Sequence, residues 1–204
     1  QAPILFHHAP VSKDAMLLEW CCPLPFSVLM SAKSLILLLE LCLREFKVVV
    51  VEHNLNLLTS SVLSIVPLLR PLDWVGVLLP VLPEHMHEFL DAPVPIIVGC
   101  QSLPARIQSA NDLVDETAVW FPAKDVVWTP RSFVSCLPAK DKLQLPLSSA
   151  LAELKASGSP PKLNYYACEA DLQRVRDVVT TVQAFTSSLI SQARHVYDAD
   201  DGID

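Results

Sequence analysis

Three short apolar runs divide the middle of the chain, at Lys47–Val51, Val77–Pro80 and Pro95–Val98. Each run is too short for a free-standing helix and is rich in β-branched residues, which is typical of strands buried on both faces. The segments between the runs carry helix signals instead of tight hairpin turns. The three strands are therefore expected to lie parallel in one sheet.

Two further strands are predicted at Thr117–Phe121 and Val126–Trp128, on either side of a proline-containing turn. Helical patterns fill the remaining segments. Ser31 is expected to cap a helix over Ala32–Arg44 that is apolar around almost its whole circumference. A short helix is predicted from Pro83 to about Leu90, because proline at the first turn and the acidic Glu84 beside it suit a helix start.

The helix after the first strand is expected to begin at an Asn54 cap. Its polar side is predicted to contain Asn56, Ser60 and Ser64. Its buried stripe is predicted to comprise Leu55, Leu58, Val62, Ile65, Val66 and Leu69.

The sequence pattern in the last part of the chain predicts two helices with a break between them. A short helix is expected over Ser148–Ala156, and an amphipathic helix of more than twenty residues over Leu172–Val196. Between them, residues 157–163 combine glycine, serine and proline and are interpreted as a linker. The first thirty residues contain four prolines and are predicted to be irregular.

Together these elements predict an α/β fold with a mostly parallel central sheet, flanking helices and a long C-terminal helix. We expect residues 1–156 to form the α/β lobe and residues 164–204 to begin a helical region. The chain starts without methionine, which suggests an internal fragment.

Composition favours a globular chain, since 51% of the 204 residues are hydrophobic and 18% are charged. The formal net charge of −7 argues against a nucleic-acid partner and makes a basic protein surface a more natural one. The best uncharged stretch, Asn54–Leu69, is interrupted by polar residues and is too short for a membrane span. The six cysteines lack metal-ligand spacing and are interpreted as reduced thiols.

Motifs for bond chemistry are missing from the sequence. Its four glycines form neither a phosphate-binding loop nor a G-x-S-x-G nucleophile turn, so we predict no catalytic residue and no cofactor. His85 and His87 are two residues apart and do not face each other on a helix, so we predict no metal site. An unrelated α/β enzyme remains an alternative that only this histidine pair supports.

The chain resembles the centre of DENN domains. The resemblance lies in five segments that occur in the family's order and spacing, with a good match over Ser31–Gln101 and a looser one to Ala156. The segments are Leu41–Val51, Asn54–Thr59, Leu69–Trp74, Leu79–Pro83 and Ala92–Gly99. The final helix resembles the start of the family's downstream helical part.

The resemblance implies guanine-nucleotide exchange on a Rab-type GTPase in membrane trafficking, in the cytoplasm or peripherally on endomembranes. It also implies a longin-like lobe, which we expect to lie upstream of Gln1. Glu52 and His53 depart from the family, which commonly has small hydroxyl residues there. We expect a partner protein to contact the polar loop at His53, Asn54 and Asn56, with Asp73 and Trp74 at the neighbouring connector. The alternative is a DENN scaffold that exchanges no nucleotide and acts through heterodimers.

Overall fold

The computed structural model of the protein describes residues 12–114, 116–156 and 169–200. The predicted α/β class is confirmed, with a five-stranded sheet, flanking helices and a long C-terminal helix. The predicted linker at residues 157–163 lies outside the described residues. The α-helices are α1 (Lys13–Met16), α2 (Ala32–Leu43), α3 (Leu55–Leu68), α4 (Lys140–Ala156) and α5 (Glu169–Asp200). The strands are β1 (Lys47–Val51), β2 (Val77–Leu79), β3 (Ile96–Cys100), β4 (Thr117–Phe121) and β5 (Val126–Trp128).

The sheet has the order β2-β3-β1-β4-β5. Strand β1 lies at its centre, parallel to β3 on one side and to β4 on the other. Strand β2 is parallel to β3, whereas β5 is antiparallel to β4. The parallel arrangement of the first three strands is therefore confirmed, and both later strands have the predicted bounds.

Strand β3 ends two residues later than predicted, and Gly99 explains the extension. A Cβ atom at Gly99 would lie 2.2 Å from the backbone oxygen of Pro80 and 2.9 Å from Leu58 Cδ1. Only glycine allows the strand to pass so close to its neighbours. Strand β2 ends at Leu79 instead of the predicted Pro80.

The two faces of the sheet are covered differently. On one face, Val48, Val50 and Trp120 join a large core with helices α2 and α3, against which α4 and α5 pack. On the other face, a smaller core forms around Val49 and Val98. It is closed by a 3₁₀ helix over Glu84–Asp91 and by segments before and after β3.

Helix α2 is almost completely buried, as its sequence predicts. The Ser31 hydroxyl caps it by accepting a hydrogen bond from the Ser34 amide at 3.2 Å. The helix ends at Leu43, one residue before the predicted Arg44. Two residues later, Glu45 takes a left-handed conformation with φ of 57°. The amide of Phe46 then donates to the Leu41 carbonyl at 2.9 Å, which stops the helix and directs the chain into β1.

The predicted polar side of α3 was wrong in part. Ser60 and Ser64 are buried, and their hydroxyls avoid an unpaired state because they donate to backbone carbonyls of the same helix. Leu55, which the periodicity places on the buried stripe, is 49% exposed. It is the first residue of the helix and directly follows the Asn54 cap. The remaining residues of the predicted stripe are buried.

Helix α4 begins at Lys140, so the prediction of a short helix from Ser148 was wrong. Pro146 lies inside the helix, where it removes one backbone hydrogen bond and costs roughly 3 kcal/mol. Burial of four leucines at helical spacing offsets that cost, at about 2 kcal/mol for each side chain. These residues are Leu143, Leu147, Leu151 and Leu154.

Helical turns also replace the irregular start predicted for the chain, over the part that begins at residue 12. Helix α1 continues into a π-helical turn at Leu17–Cys21, and another follows at Pro25–Leu29. Pro25 occupies the first position of its turn, where a missing N–H costs no helical bond. Arg176 of α5 contacts this segment through an ion pair with Glu19 at 3.4 Å.

Candidate functional site

The loops that follow the parallel strands lie together at one end of the sheet, which we call the carboxyl edge. These loops comprise Glu52–Asn54 after β1, Pro80–Pro83 after β2, Gln101 and Ser102 after β3, and the Pro122–Lys124 turn after β4. In open α/β sheets, ligands bind outside the carboxyl ends of the strands. This edge is therefore the first place to look for a site.

The loop after β1 is held by its own hydrogen bonds. Asn54 Oδ1 accepts from the amides of Asn56 at 3.0 Å and Leu57 at 3.2 Å, which confirms the predicted cap. The Asn54 amide donates to Glu52 Oε1 at 3.1 Å. The side chain of Asn54 thus fixes the start of α3 and is largely occupied within the protein.

A second contact fixes the same loop to the next strand of the sheet. Gln101 Nε2 donates to the backbone oxygen of His53 at 2.9 Å. The side chains of His53, Asn56 and Leu55 are exposed beside this bond. Hydrogen bonds hold the backbone of these residues in place, so binding to them would cost little conformational entropy.

Exposed apolar residues at the carboxyl edge were not singled out by the sequence. Leu55 is 49% exposed, Val81 40% and Met86 45%. Val81 follows β2, and Met86 lies in the first turn of the 3₁₀ helix. Their exposure could have been predicted from their positions in the sequence. Each lies soon after a strand or at the start of a helix, where a side chain can extend beyond the sheet.

Charged side chains of opposite sign flank the loop after β1. On the β2 side, the exposed Glu84 accepts a hydrogen bond from Ser102 Oγ at 2.6 Å. On the β4 side, the exposed Lys124 lies with its Nζ 5.8 Å from the centre of the Phe121 ring. The neighbouring Asp125 accepts a hydrogen bond from the Ser31 amide through its Oδ1, at 3.1 Å.

Asp73 and Trp74 lie at the opposite end of the sheet from His53, Asn54 and Asn56. They precede β2, and β2 is parallel to β3, which is itself parallel to β1. The five residues expected to contact a partner therefore form two separate groups.

Trp74 and Asp73 each make contacts that hold the connector before β2. Trp74 is half-buried, and its Nε1 donates to the Val77 carbonyl at 3.2 Å. Asp73 forms an ion pair with Arg70, which also pairs with Asp14 at 2.7 Å. These contacts give both residues a structural role, whether or not a partner also touches them.

The histidine pair lies in the 3₁₀ helix, with His85 exposed and His87 half-buried. Within the described ranges, no three histidine, cysteine, aspartate or glutamate side chains are grouped closely enough to hold a metal ion. Across the same ranges, none of the helices combines the length and apolar character that crossing a bilayer requires.

Burial makes the thiols near the sheet unreactive. It raises the pKa of Cys100, at the end of β3, to about 11 and that of Cys42, in α2, to about 12. Both thiols therefore stay protonated at neutral pH, whereas a nucleophilic cysteine needs a lowered pKa.

The five-stranded, mostly parallel sheet and the helices packed on it define an α/β module. The family model of the DENN (AEX-3) domain matches residues 9–117. This match covers more than half of the chain, which therefore belongs to the DENN domain family. The resemblance seen in the sequence is confirmed.

Two curated relatives match the chain over different lengths. DENN domain-containing protein 1B of Homo sapiens is 32% identical over 109 residues, which are 50% of this chain and 14% of that protein. MAP kinase-activating death domain protein of Caenorhabditis elegans is 27% identical over 191 residues, which are 92% of this chain and 12% of that protein. The matched part of the chain thus spans about one seventh of the first relative and about one eighth of the second.

Proposed function

We propose that this chain is the central part of a guanine-nucleotide exchange factor for a Rab-type small GTPase in membrane trafficking. Membership of the DENN family is the observation that supports the proposal, because DENN proteins are typically Rab exchange factors. We further propose that residues 1–156 form the central lobe and that 164–204 begin the downstream helical part. Exchange would also require an upstream longin-like lobe.

Such an activity needs no bond chemistry from the protein. An exchange factor binds the nucleotide-free GTPase more tightly than the nucleotide-bound form, so protein and nucleotide each weaken the other's binding. A 100-fold preference corresponds to a coupling free energy of about 2.7 kcal/mol. A rigid surface that fits one conformation of the GTPase can supply this preference.

The test measures release of a fluorescent GDP analogue from a panel of purified Rab GTPases with the full-length protein. We expect accelerated release from at least one Rab. Spontaneous release gives the lower reference, and release on magnesium chelation shows that each GTPase can lose its nucleotide. Unchanged release across the panel would contradict the proposal.

The same assay separates exchange from scaffolding. A Rab that binds stably but releases GDP at its spontaneous rate would identify a scaffold instead. Recovery of the full-length protein as a heterodimer, with no Rab bound, would support the heterodimeric alternative. We place the protein in the cytoplasm and peripherally on endomembranes, which imaging of the tagged full-length protein can check.

A further inference from the structure

The connection from β3 to β4 is long for a protein of this kind. It covers residues 101–116, whereas connections of more than about 12–15 residues without strands or α-helices are uncommon and are usually functional. In its described part, residues 101–114 and 116, a 3₁₀ helix at Ala110–Asp112 is the only regular element. Ser109 directly precedes this helix and is half-buried.

Ser109 differs in sequence context from every other serine and threonine of the chain. It alone follows a lysine or arginine by three positions, in the series Arg106-Ile107-Gln108-Ser109. Many protein kinases select such a serine, because an acidic pocket of the kinase pairs with the guanidinium group. The sequence therefore distinguishes Ser109 from the other serines and threonines as an acceptor for a kinase of this type.

The backbone and the surroundings of Ser109 suit such a kinase. The backbone is extended, with φ of −149° and ψ of 169°, and kinases bind the segment around the acceptor in an extended form. Arg106 pairs with Asp91 at 2.7 Å, and the two side chains are 46% and 59% exposed. An ion pair between such exposed groups is weak, so Arg106 can exchange Asp91 for an acidic group of the kinase.

The hydroxyl of Ser109 holds the turn that follows it. Ser109 Oγ donates to Asp112 Oδ2 at 3.0 Å and accepts from the Asn111 amide at 3.3 Å. The same carboxylate oxygen accepts the amides of Gln108 at 3.0 Å and Ser109 at 2.7 Å. A phosphate on Ser109 would remove the donated hydrogen and add roughly 1.5–2 negative charges beside the carboxylate. Repulsion between these like charges would then displace Asp112.

A cation lies next to this turn. Arg131 Nε donates to Asn111 Oδ1 at 2.8 Å, and Arg131 is exposed. Hydrogen bonds from Gln108 and Ser109 lower the pKa of Asp112, and the charge of Arg131 adds to that effect. A guanidinium group binds a phosphate more strongly than it binds a neutral amide oxygen. Arg131 would therefore exchange Asn111 for a phosphate on Ser109.

We propose that Ser109 is a phosphorylation site, and that its phosphate opens the turn at Asp112 and pairs with Arg131. In the reaction, Ser109 Oγ attacks the γ-phosphorus of ATP, the bond from that phosphorus to the β-phosphate oxygen breaks, and ADP leaves. The hydroxyl proton passes to a carboxylate of the kinase. The kinase and ATP are separate reactants, and the modification does not depend on the proposed exchange function.

Mass spectrometry of the full-length protein tests the site. The probe is a purified calmodulin-dependent protein kinase with magnesium ATP, and cleavage after glutamate releases residues 89–116 as one peptide. We expect phosphate at Ser109 of this peptide, none in Ser109→Ala, and an initial rate about tenfold lower in Arg106→Ala. Arg194→Ala is the matched control, because it removes the same charge from an exposed position on α5 and should change the rate by less than about twofold.

Use of the site is tested in cells that produce the protein. Full-length protein isolated with phosphatase inhibitors should yield the phosphorylated form of the peptide of residues 89–116, and Ser109→Ala should abolish it. Detection of this peptide in its unmodified form alone would overturn the site.

Two measurements on the phosphorylated protein test the structural change. Hydrogen exchange at the Gln108 and Ser109 amides should become about tenfold faster, because both amides lose the Asp112 carboxylate. In ³¹P NMR, Arg131→Ala should raise the second pKa of the phosphate, because an arginine beside a phosphate favours the dianion. Arg194→Ala should leave that pKa unchanged.

A contrary result is defined for each step. If the kinase phosphorylates a synthetic peptide of residues 103–113 but not the folded protein, the fold shields Ser109 and the site is overturned, as it is if neither reacts. Phosphate on Ser102 instead, or wild-type rates for Arg106→Ala, would overturn the recognition. Unchanged hydrogen exchange would overturn the opening of the turn. An unchanged phosphate pKa in Arg131→Ala would overturn the pairing.

Discussion

Replacing Glu40 with alanine tests whether a buried carboxylate holds the segment between β5 and α4. Glu40 is 2% exposed on α2. It accepts hydrogen bonds from Ser135 Oγ at 2.7 Å and from the amides of Cys136 at 2.6 Å and Leu137 at 3.2 Å. Arg44 lies 3.7 Å away and is partly exposed, so its ion pair contributes little.

The expected loss of stability in Glu40→Ala follows from the three hydrogen-bond donors that contact Glu40. A hydrogen bond to a charged group contributes roughly 1.5–3 kcal/mol. Ser135 and Cys136 are exposed and can bind water instead, whereas Leu137 is buried and its amide would lose its partner. We therefore expect Glu40→Ala to lower the free energy of unfolding by about 3 kcal/mol, within the range for a broken buried network. Glu40→Gln keeps one accepting oxygen and should cost about half as much.

The assay is urea unfolding of the 204-residue chain, followed by circular dichroism, with hydrogen exchange at the Leu137 amide as a local measure. Exchange at Leu137 should accelerate in Glu40→Ala. Glu153→Ala is the matched control, because Glu153 is exposed on α4 and should change stability by less than about 0.5 kcal/mol. A Glu40→Ala protein as stable as this control, with unchanged exchange, would refute the reasoning.

Three further substitutions or titrations test other parts of the structure. Gly99→Ala should destabilise the sheet by about 3 kcal/mol in the same unfolding assay, because the new methyl group would meet the Pro80 carbonyl. In a Cys168→Ser background at pH 7.5, the exposed Cys136 should react with a thiol reagent at once, and Cys42 only after unfolding. Hydrogen bonds from Gln108 and Ser109 lower the pKa of Asp112, so its contribution to stability is present above its unfolded pKa and disappears as pH falls through the folded value. Asp112→Asn should flatten the loss of stability below about pH 4.

Each of these predictions has a clear contrary result. Wild-type stability of Gly99→Ala would mean that β2 and β3 are farther apart than described. Fast labelling of Cys42 itself in the folded protein, located by mass spectrometry, would show that this buried thiol is accessible. An Asp112 carboxyl that titrates in NMR at or above its usual pKa would contradict the capping hydrogen bonds around it.

Strand positions were predictable because β-branched residues mark them directly. The runs at β1, β4 and β5 have the predicted bounds, since no other element suits such short apolar segments. Helix α4 was shortened in the prediction because Pro146 resembles a stop signal. The leucines before and after that proline keep helical spacing, and their burial outweighs the local cost.

The candidate site was predictable only in part, for a topological reason. His53, Asn54 and Asn56 were placed correctly at the end of β1, because a polar loop after a buried strand is a local signal. Asp73 and Trp74 are close to them in sequence, but α3 carries the chain to the other end of the sheet before β2 begins. The exposure of Leu55 could not be read from periodicity, which gives the face of a helix and not how far the helix extends past its neighbours.

The central position of β1 has a consequence for synthesis on the ribosome. Its two neighbours are β3 and β4, and Lys47 pairs with Thr117, far along the chain. While the chain emerges, one backbone edge of the four consecutive valines stays unpaired until β3 has left the exit tunnel, and the other stays unpaired until β4 has left it. We expect nascent chains that end before Thr117 to bind chaperones and resist folding, and folding to begin only once Phe121 is exposed.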